Sequence, residues 1–227
     1  MINRIEIKKG IYSGFPVFIG YFPIAVTFGL LAKSVNISLF ESFCFSALVF
    51  AGASQFVGLN MLHAGIGIGE ITFTVFLLNF RHFLMSATLS SKILFSRLLI
   101  PVIAFGVTDE TFAVAAMKKD KLSESYMIAL NFTAYTGWVS GTVAGYAAGD
   151  FLPGDIQASI SICLYAMFVA ILIPAVKRSF KAGAVALIAG IINSILGYSG
   201  VFSSGWNIVI SIMAASLSGM LLFMSKE

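Results

Sequence analysis

The sequence predicts an all-α fold: a polytopic transmembrane helical bundle of about eight spans, with seven as the alternative, in which some helices are kinked or broken. Three observations predict it. Hydrophobic residues make up 59% of the 227 residues, and mean hydropathy is +0.97. Only 11% of the residues are Asp, Glu, Lys or Arg, against roughly 25% in soluble domains, too few to cover a globule of this size. The apolar residues also gather into long runs, most of them near the ~20 residues that a helix needs to cross the hydrocarbon core. The whole chain, 1–227, reads as a single integral membrane domain.

The spans follow in order. The stretch "MINRIEIKKG" is basic but lacks the small-residue cleavage pattern of a signal peptide, so the run 11–32 reads as a retained helix. Pro16 and Pro23 lie within it, seven apart and nearly on one face. Each removes a backbone donor and crowds the preceding turn, so a kink or a break is expected at both. The second run, 42–62, contains "FAGASQF", where Gly52, Ser54 and Gln55 interrupt the apolar sequence and predict another break. The third, 71–89, carries "LLNFRHFLMS". The fourth, 98–117, contains Pro101 and "FGVTDETF". Gly106 loosens the chain there, Thr108 is an N-cap by type, and Asp109 and Glu110 fall in the first turn of a half-helix, where the dipole favours acids.

The fifth run, 126–148, overlaps "GWVSGTVAGYAAG", which sets Gly137, Gly141, Gly145 and Gly149 four apart. Such a stripe lets two helix backbones approach closely in lipid, so helix packing is its expected role. The runs 156–176, 182–196 and 207–224 complete the set, with the breaker-rich "GYSGVFSSG" between the last two. "GIGIG" at 65–69 lacks the spacing of a nucleotide loop.

The basic residues orient the bundle. With the N-terminus in the cytoplasm, Arg4, Lys8, Lys9, Lys118, Lys119, Lys121, Lys177, Arg178, Lys181 and Lys226 fall inside, ten in all, and Lys33, Lys92 and Arg97 fall outside. That bias is what the positive-inside rule expects. The net charge of +4 sits in these short clusters, which argues against nucleic acid as a partner. Cys44 and Cys163 lie within apolar runs and have no metal spacing, so neither a metal nor a cofactor is expected.

Ionisable groups inside spans are expensive and mark either buried pairs or pathways. Here they are Arg81 and His82 in the third span and Asp109 and Glu110 in the fourth, with Asn79 beside the first pair. On a helix, Asn79, His82 and Ser86 share one face while Arg81 points elsewhere. Arg81 needs a carboxylate, and Asp109 or Glu110 can supply it. A structural ion pair and a substrate or proton role are both open. His82 titrates near neutrality, which suits either a relay or simple packing.

Three motifs in this order, "FAGASQF", "LLNFRHFLMS" and "TDETFA", behind a glycine- and proline-rich first helix, resemble the AzlC family over nearly the whole chain. The resemblance implies the large subunit of a bacterial inner-membrane exporter of valine, leucine, isoleucine and analogues such as azaleucine. It also implies a small hydrophobic partner of the AzlD type. A zwitterion with an apolar tail suits the residues: Arg81 or free backbone N–H groups for its carboxylate, Asp109 or Glu110 for its ammonium. Asn79, His82, Thr108, Ser54 and Gln55 are the other expected pathway groups. No ATP-binding motif is present, so an ion or substrate gradient is expected to drive transport. Two rivals stand beside this reading. A non-transporting assembly subunit is one. An intramembrane enzyme is the other, weakened because Trp138 stands where a nucleophile motif around Ser140 needs glycine, and no histidine follows it.

Overall fold

The computed structural model describes residues 3–92, 98–118, 121–150, 179–202 and 204–224, with a few positions between 169 and 177. Every regular element among them is helical: α1 (Arg4–Ser34), α2 (Leu39–Val49), α3 (Gly52–His63), α4 (Ile68–Ser90), α5 (Ile100–Phe105), α6 (Asp109–Ala116), α7 (Glu124–Ala148), α8 (Phe180–Ser199) and α9 (Ser204–Met224). The apolar run 156–176 lies almost wholly outside the described residues. The others each become one helix or one broken pair.

Local chemistry sets the ends. Asn3 caps α1 by accepting from the Ile5 N–H. Ser38 and Glu41 form a reciprocal capping box at the start of α2. Ser123 accepts from the Tyr126 N–H at the start of α7. Gly65 and Gly200 adopt the left-handed conformation after α3 and α8 (φ 71° and 62°), where a side chain would be strained.

The first helix is continuous, with 31 residues that include Pro16 and Pro23. The expected break at the prolines is therefore absent. Each proline costs one backbone hydrogen bond, and both sit on the exposed side of a helix whose opposite side is held by α7. At 1.5 Å per residue α1 is about 46 Å long, more than the ~30 Å hydrocarbon core. Only α1 and α8 among the described helices are long and apolar enough to cross a membrane unaided. The 42–62 and 98–117 runs are instead split, into α2 and α3 and into α5 and α6.

The chain forms two compact units. The first is Met1–Phe56 with Asn79–Ser161. Its axis is the α1–α7 pair, and glycine makes that contact. A Cβ on Gly137 would lie 3.0 Å from the Phe18 carbonyl oxygen, and one on Gly141 would lie 2.6 Å from that of Phe22. Gly14 of α1 answers from the other side, 2.9 Å from the Leu130 carbonyl oxygen by the same construction. Beside this seam, Leu89, Ile103, Val107, Ala115, Leu122, Met127 and Leu130 form a buried apolar cluster.

The second unit is Val57–Leu78 with Ile162–Glu227. In it Gly58 faces Val75 and Ile71, the Phe73 and Trp206 rings meet tilted at 5.9 Å, and Gly219 of α9 packs on Val185 of α8. Many large apolar side chains point outward in both units, such as Phe40 (74% exposed) and Leu187 (69%). Lipid is the solvent in which such a surface is stable.

Candidate functional site

Two interruptions of helical backbone build the site, both in the first unit. At the first, Phe50 ends α2 in the left-handed region (φ 33°, ψ 49°), and α3 begins at Gly52. A non-glycine residue there costs about 1–2 kcal/mol, so the surroundings must hold it. Gln55, 1% exposed, does so. Its Nε2 donates back to the Phe45 carbonyl, and its Oε1 accepts from Trp138 Nε1 at 2.7 Å. Tyr135 donates to the Ala47 carbonyl at 3.0 Å. Ser54 turns to its own backbone, donating to the Ala51 carbonyl at 2.9 Å. Gly52 lies under the Trp138 ring, which a Cβ would strike at 2.5 Å. Irregular backbone at membrane depth persists where protein satisfies it in this way.

The second interruption runs from Gly106 to Thr108. Gly106 ends α5, and a Cβ on it would lie 2.5 Å from Asn131 Cβ. Asn131 Nδ2 donates to the Ile103 carbonyl at 3.0 Å. Thr108 is the N-cap of α6: its Oγ1 accepts from the Thr111 N–H, while its own N–H donates to Thr111 Oγ1 at 2.8 Å. Thr111 Oγ1 donates in turn to the Gly106 carbonyl at 3.0 Å.

The two acids of α6 then go to different partners. Asp109 Oδ2 lies 2.9 Å from Arg81 Nη1, the two side chains being 48% and 43% exposed. Glu110 accepts from the Tyr21 hydroxyl, which also lies 2.6 Å from Thr108 Oγ1. Tyr21 is 7% exposed and meets Phe50 and Trp138 edge-on at 6.1 and 5.5 Å. This one tyrosine therefore touches both interruptions: Phe50 and the Trp138–Gln55 bond on one side, Thr108 and Glu110 on the other.

Arg81, Thr108, Asp109, Glu110 and Gln55 thus belong to one connected arrangement. Asn79 and His82 do not join it by hydrogen bonds among the described residues; Asn79 Oδ1 is buried and unpartnered, and His82 is half-buried beside Arg81. Gly137, Gly141 and Gly145 face α1, and Gly149 faces the Lys33 side chain. Tyr21 and Asn131 carry the arrangement though the sequence reading does not name them, and Trp138, which enters that reading only through its place before Ser140, bonds Gln55. A lone tyrosine between two prolines was the available signal for the first.

The ends of this unit are marked by charge. Glu6 binds Lys9 at 2.6 Å and lies 3.5 Å from Lys118 and from Ser123 Oγ. Lys33, at the far end of α1, pairs with Asp150 and lies over the Tyr146 ring at 5.1 Å.

Comparison with known proteins places the chain. The family model described as AzlC protein matches residues 16–152, a segment that holds both interruptions and every ionisable member of the arrangement. An uncharacterised membrane protein of Archaeoglobus fulgidus is 34% identical over 82% of this chain and 85% of its own length. The inner membrane protein YgaZ of Escherichia coli K12 is 34% identical over 84% and 82%. The branched-chain amino acid transport protein AzlC of Bacillus subtilis is 22% identical over 76% and 70%. No solved structure matches the chain. A helical membrane protein with this sequence match belongs to the AzlC family.

Proposed function

We propose that the chain exports branched-chain amino acids (valine, leucine, isoleucine and analogues such as azaleucine) across a bacterial inner membrane. It does so as the large subunit of a pair with a small AzlD-type membrane protein, driven by an ion or proton gradient. The full chain acts as one transporter domain, with its N-terminus in the cytoplasm. The observation that carries the reading is the Arg81–Asp109 ion pair at the start of a half-helix, next to Glu110 bound by Tyr21. Transporters use discontinuous helices to expose N–H groups and charges to a substrate near the midplane.

In this reading the substrate competes for the pair. Its carboxylate takes Arg81, and its ammonium takes Asp109 or Glu110. Proton uptake by an acid of α6 resets the pair. His82 and Asn79 on α4, and Thr108, Ser54 and Gln55 at the interruptions, line or support the route. The resemblance to a named branched-chain amino acid transport protein supports the substrate class.

The test is efflux of labelled leucine and valine from vesicles containing the chain with and without its small partner, in wild type and in Asp109→Asn. The variant should reach the membrane at the wild-type level and lose at least tenfold in proton-driven efflux. Full activity in Asp109→Asn removes that carboxylate from the mechanism, and absence of efflux from wild type with the partner present rejects the exporter reading.

A further inference from the structure

Between α5 and α7, beside the second interruption, lies a pocket of about 180 Å³. Val102, Phe105, Ile128, Phe132 and Tyr135 wall it, with Gly106 and Asn131 at its inner side. We propose that this pocket receives the aliphatic side chain of the transported amino acid, whose ammonium donates one of its three hydrogen bonds to Asn131 Oδ1 and keeps the others for Asp109 or Glu110. The proposal rests on the exporter reading above and names the part of the site that selects the side chain.

Three observations meet here. Asn131 is 5% exposed, and its Oδ1 has no partner among the described residues. A buried carbonyl in this state costs free energy that a ligand donor restores. Its other end is committed, since Nδ2 donates to the Ile103 carbonyl. The vacant group is therefore an acceptor only, which suits an ammonium and not a carboxylate.

The walls set the tail. Phe105 and Tyr135 meet edge-on at 6.1 Å, and the Tyr135 hydroxyl is occupied by the Ala47 carbonyl, so the ring offers apolar surface. A cavity of about 150 Å³ with such walls takes a benzene molecule, so a four-carbon branched chain fits. A lipid acyl chain would satisfy the walls and leave Asn131 Oδ1 without a donor. Gly106 fixes the geometry, because any side chain there would push Asn131 away. Asp109 follows Gly106 by three residues in the chain.

The full-length chain in lipid nanodiscs provides the test, by calorimetric binding of L-leucine, L-alanine and the 2-oxo acid of leucine, which lacks the ammonium. Val102 is 56% exposed and lies on the rim, so Val102→Phe fills the pocket without disturbing the core. Leucine affinity should fall at least tenfold in Val102→Phe, with alanine affinity changed less than threefold. Wild type should prefer leucine to the oxo acid by at least tenfold, and Asn131→Leu should cut that preference at least threefold, the carboxylates of α6 keeping the remainder. Thermal unfolding of each variant confirms that it is folded. Equal losses for leucine and alanine in Val102→Phe, or a preference for leucine over the oxo acid that is undiminished in folded Asn131→Leu, overturns the pocket while leaving the exporter reading in place. Wild type that neither binds nor exports leucine rejects both.

Discussion

Gln55 shows how a single side chain makes a broken helix permissible in a membrane. It bridges a backbone carbonyl of α2 and the buried indole N–H of Trp138. Gln55→Leu keeps the volume close and removes both bonds. The buried Trp138 N–H is then orphaned, at a cost of about 1–3 kcal/mol. The expected result is a lower melting temperature in detergent; unchanged melting would show that the bridge does not hold the break.

Partner choice among the charged residues is also decided residue by residue. Arg81 takes Asp109, while Glu110 takes Tyr21. The need of Arg81 for a carboxylate was legible in the sequence, as was Thr108 as the cap of α6. Which acid serves was not, because adjacent residues on a helix point about 100° apart, and only the placement of α1 and α4 selects between them.

At the scale of elements, glycine spacing converts into helix approach. The stripe at Gly137, Gly141 and Gly145 seats α7 against α1 at distances that no Cβ would allow. Gly141→Leu should force the pair apart, and overpacking of this kind costs about 1–3 kcal/mol or more. The measurement is the yield of folded, monodisperse protein, which should fall sharply against a control such as Gly190→Leu, where nothing lies within 4 Å. Equal yields would mean that the seam tolerates separation. The prolines teach the opposite lesson. Their intrinsic tendency to break a helix was readable, yet α1 passes through both. Continuous packing along α7 outweighs one lost hydrogen bond at each.

At the scale of the whole molecule, the charge pattern predicts orientation. The Glu6–Lys9–Lys118 cluster and the Lys33–Asp150 pair lie at opposite ends of α1. With a cytoplasmic N-terminus, a single cysteine at Lys118 should react with an impermeant maleimide only after the cells are opened, and one at Lys33 in intact cells. The reverse pattern would invert the topology.

The same cluster predicts a pH response. The hydrogen bond from Lys9, aided by the charge of Lys118, holds the Glu6 carboxyl below its ordinary value. A depressed folded-state pKa stabilises the fold above the unfolded carboxylate value, and the contribution disappears as pH falls through the depressed one. Wild type should therefore melt slightly above Glu6→Gln at pH 7, and the difference should shrink as pH falls below the ordinary carboxylate range. A constant difference across that range would remove the cluster from the stability of this end.

The amino-acid sequence by itself determined the solvent, the helical class, the sites of both interruptions and the glycine seam, because each depends on composition or on neighbours a few residues apart. It also carried the family. The tertiary structure alone decided that the interruptions converge on Tyr21, that Trp138 closes the bridge to Gln55, and that Asn131 Oδ1 has no partner among the described residues beside a pocket. The reason is physical. Helices that are apolar nearly all round, as membrane helices are, carry little record of which face meets which neighbour, so rotation and register are settled only when the helices pack.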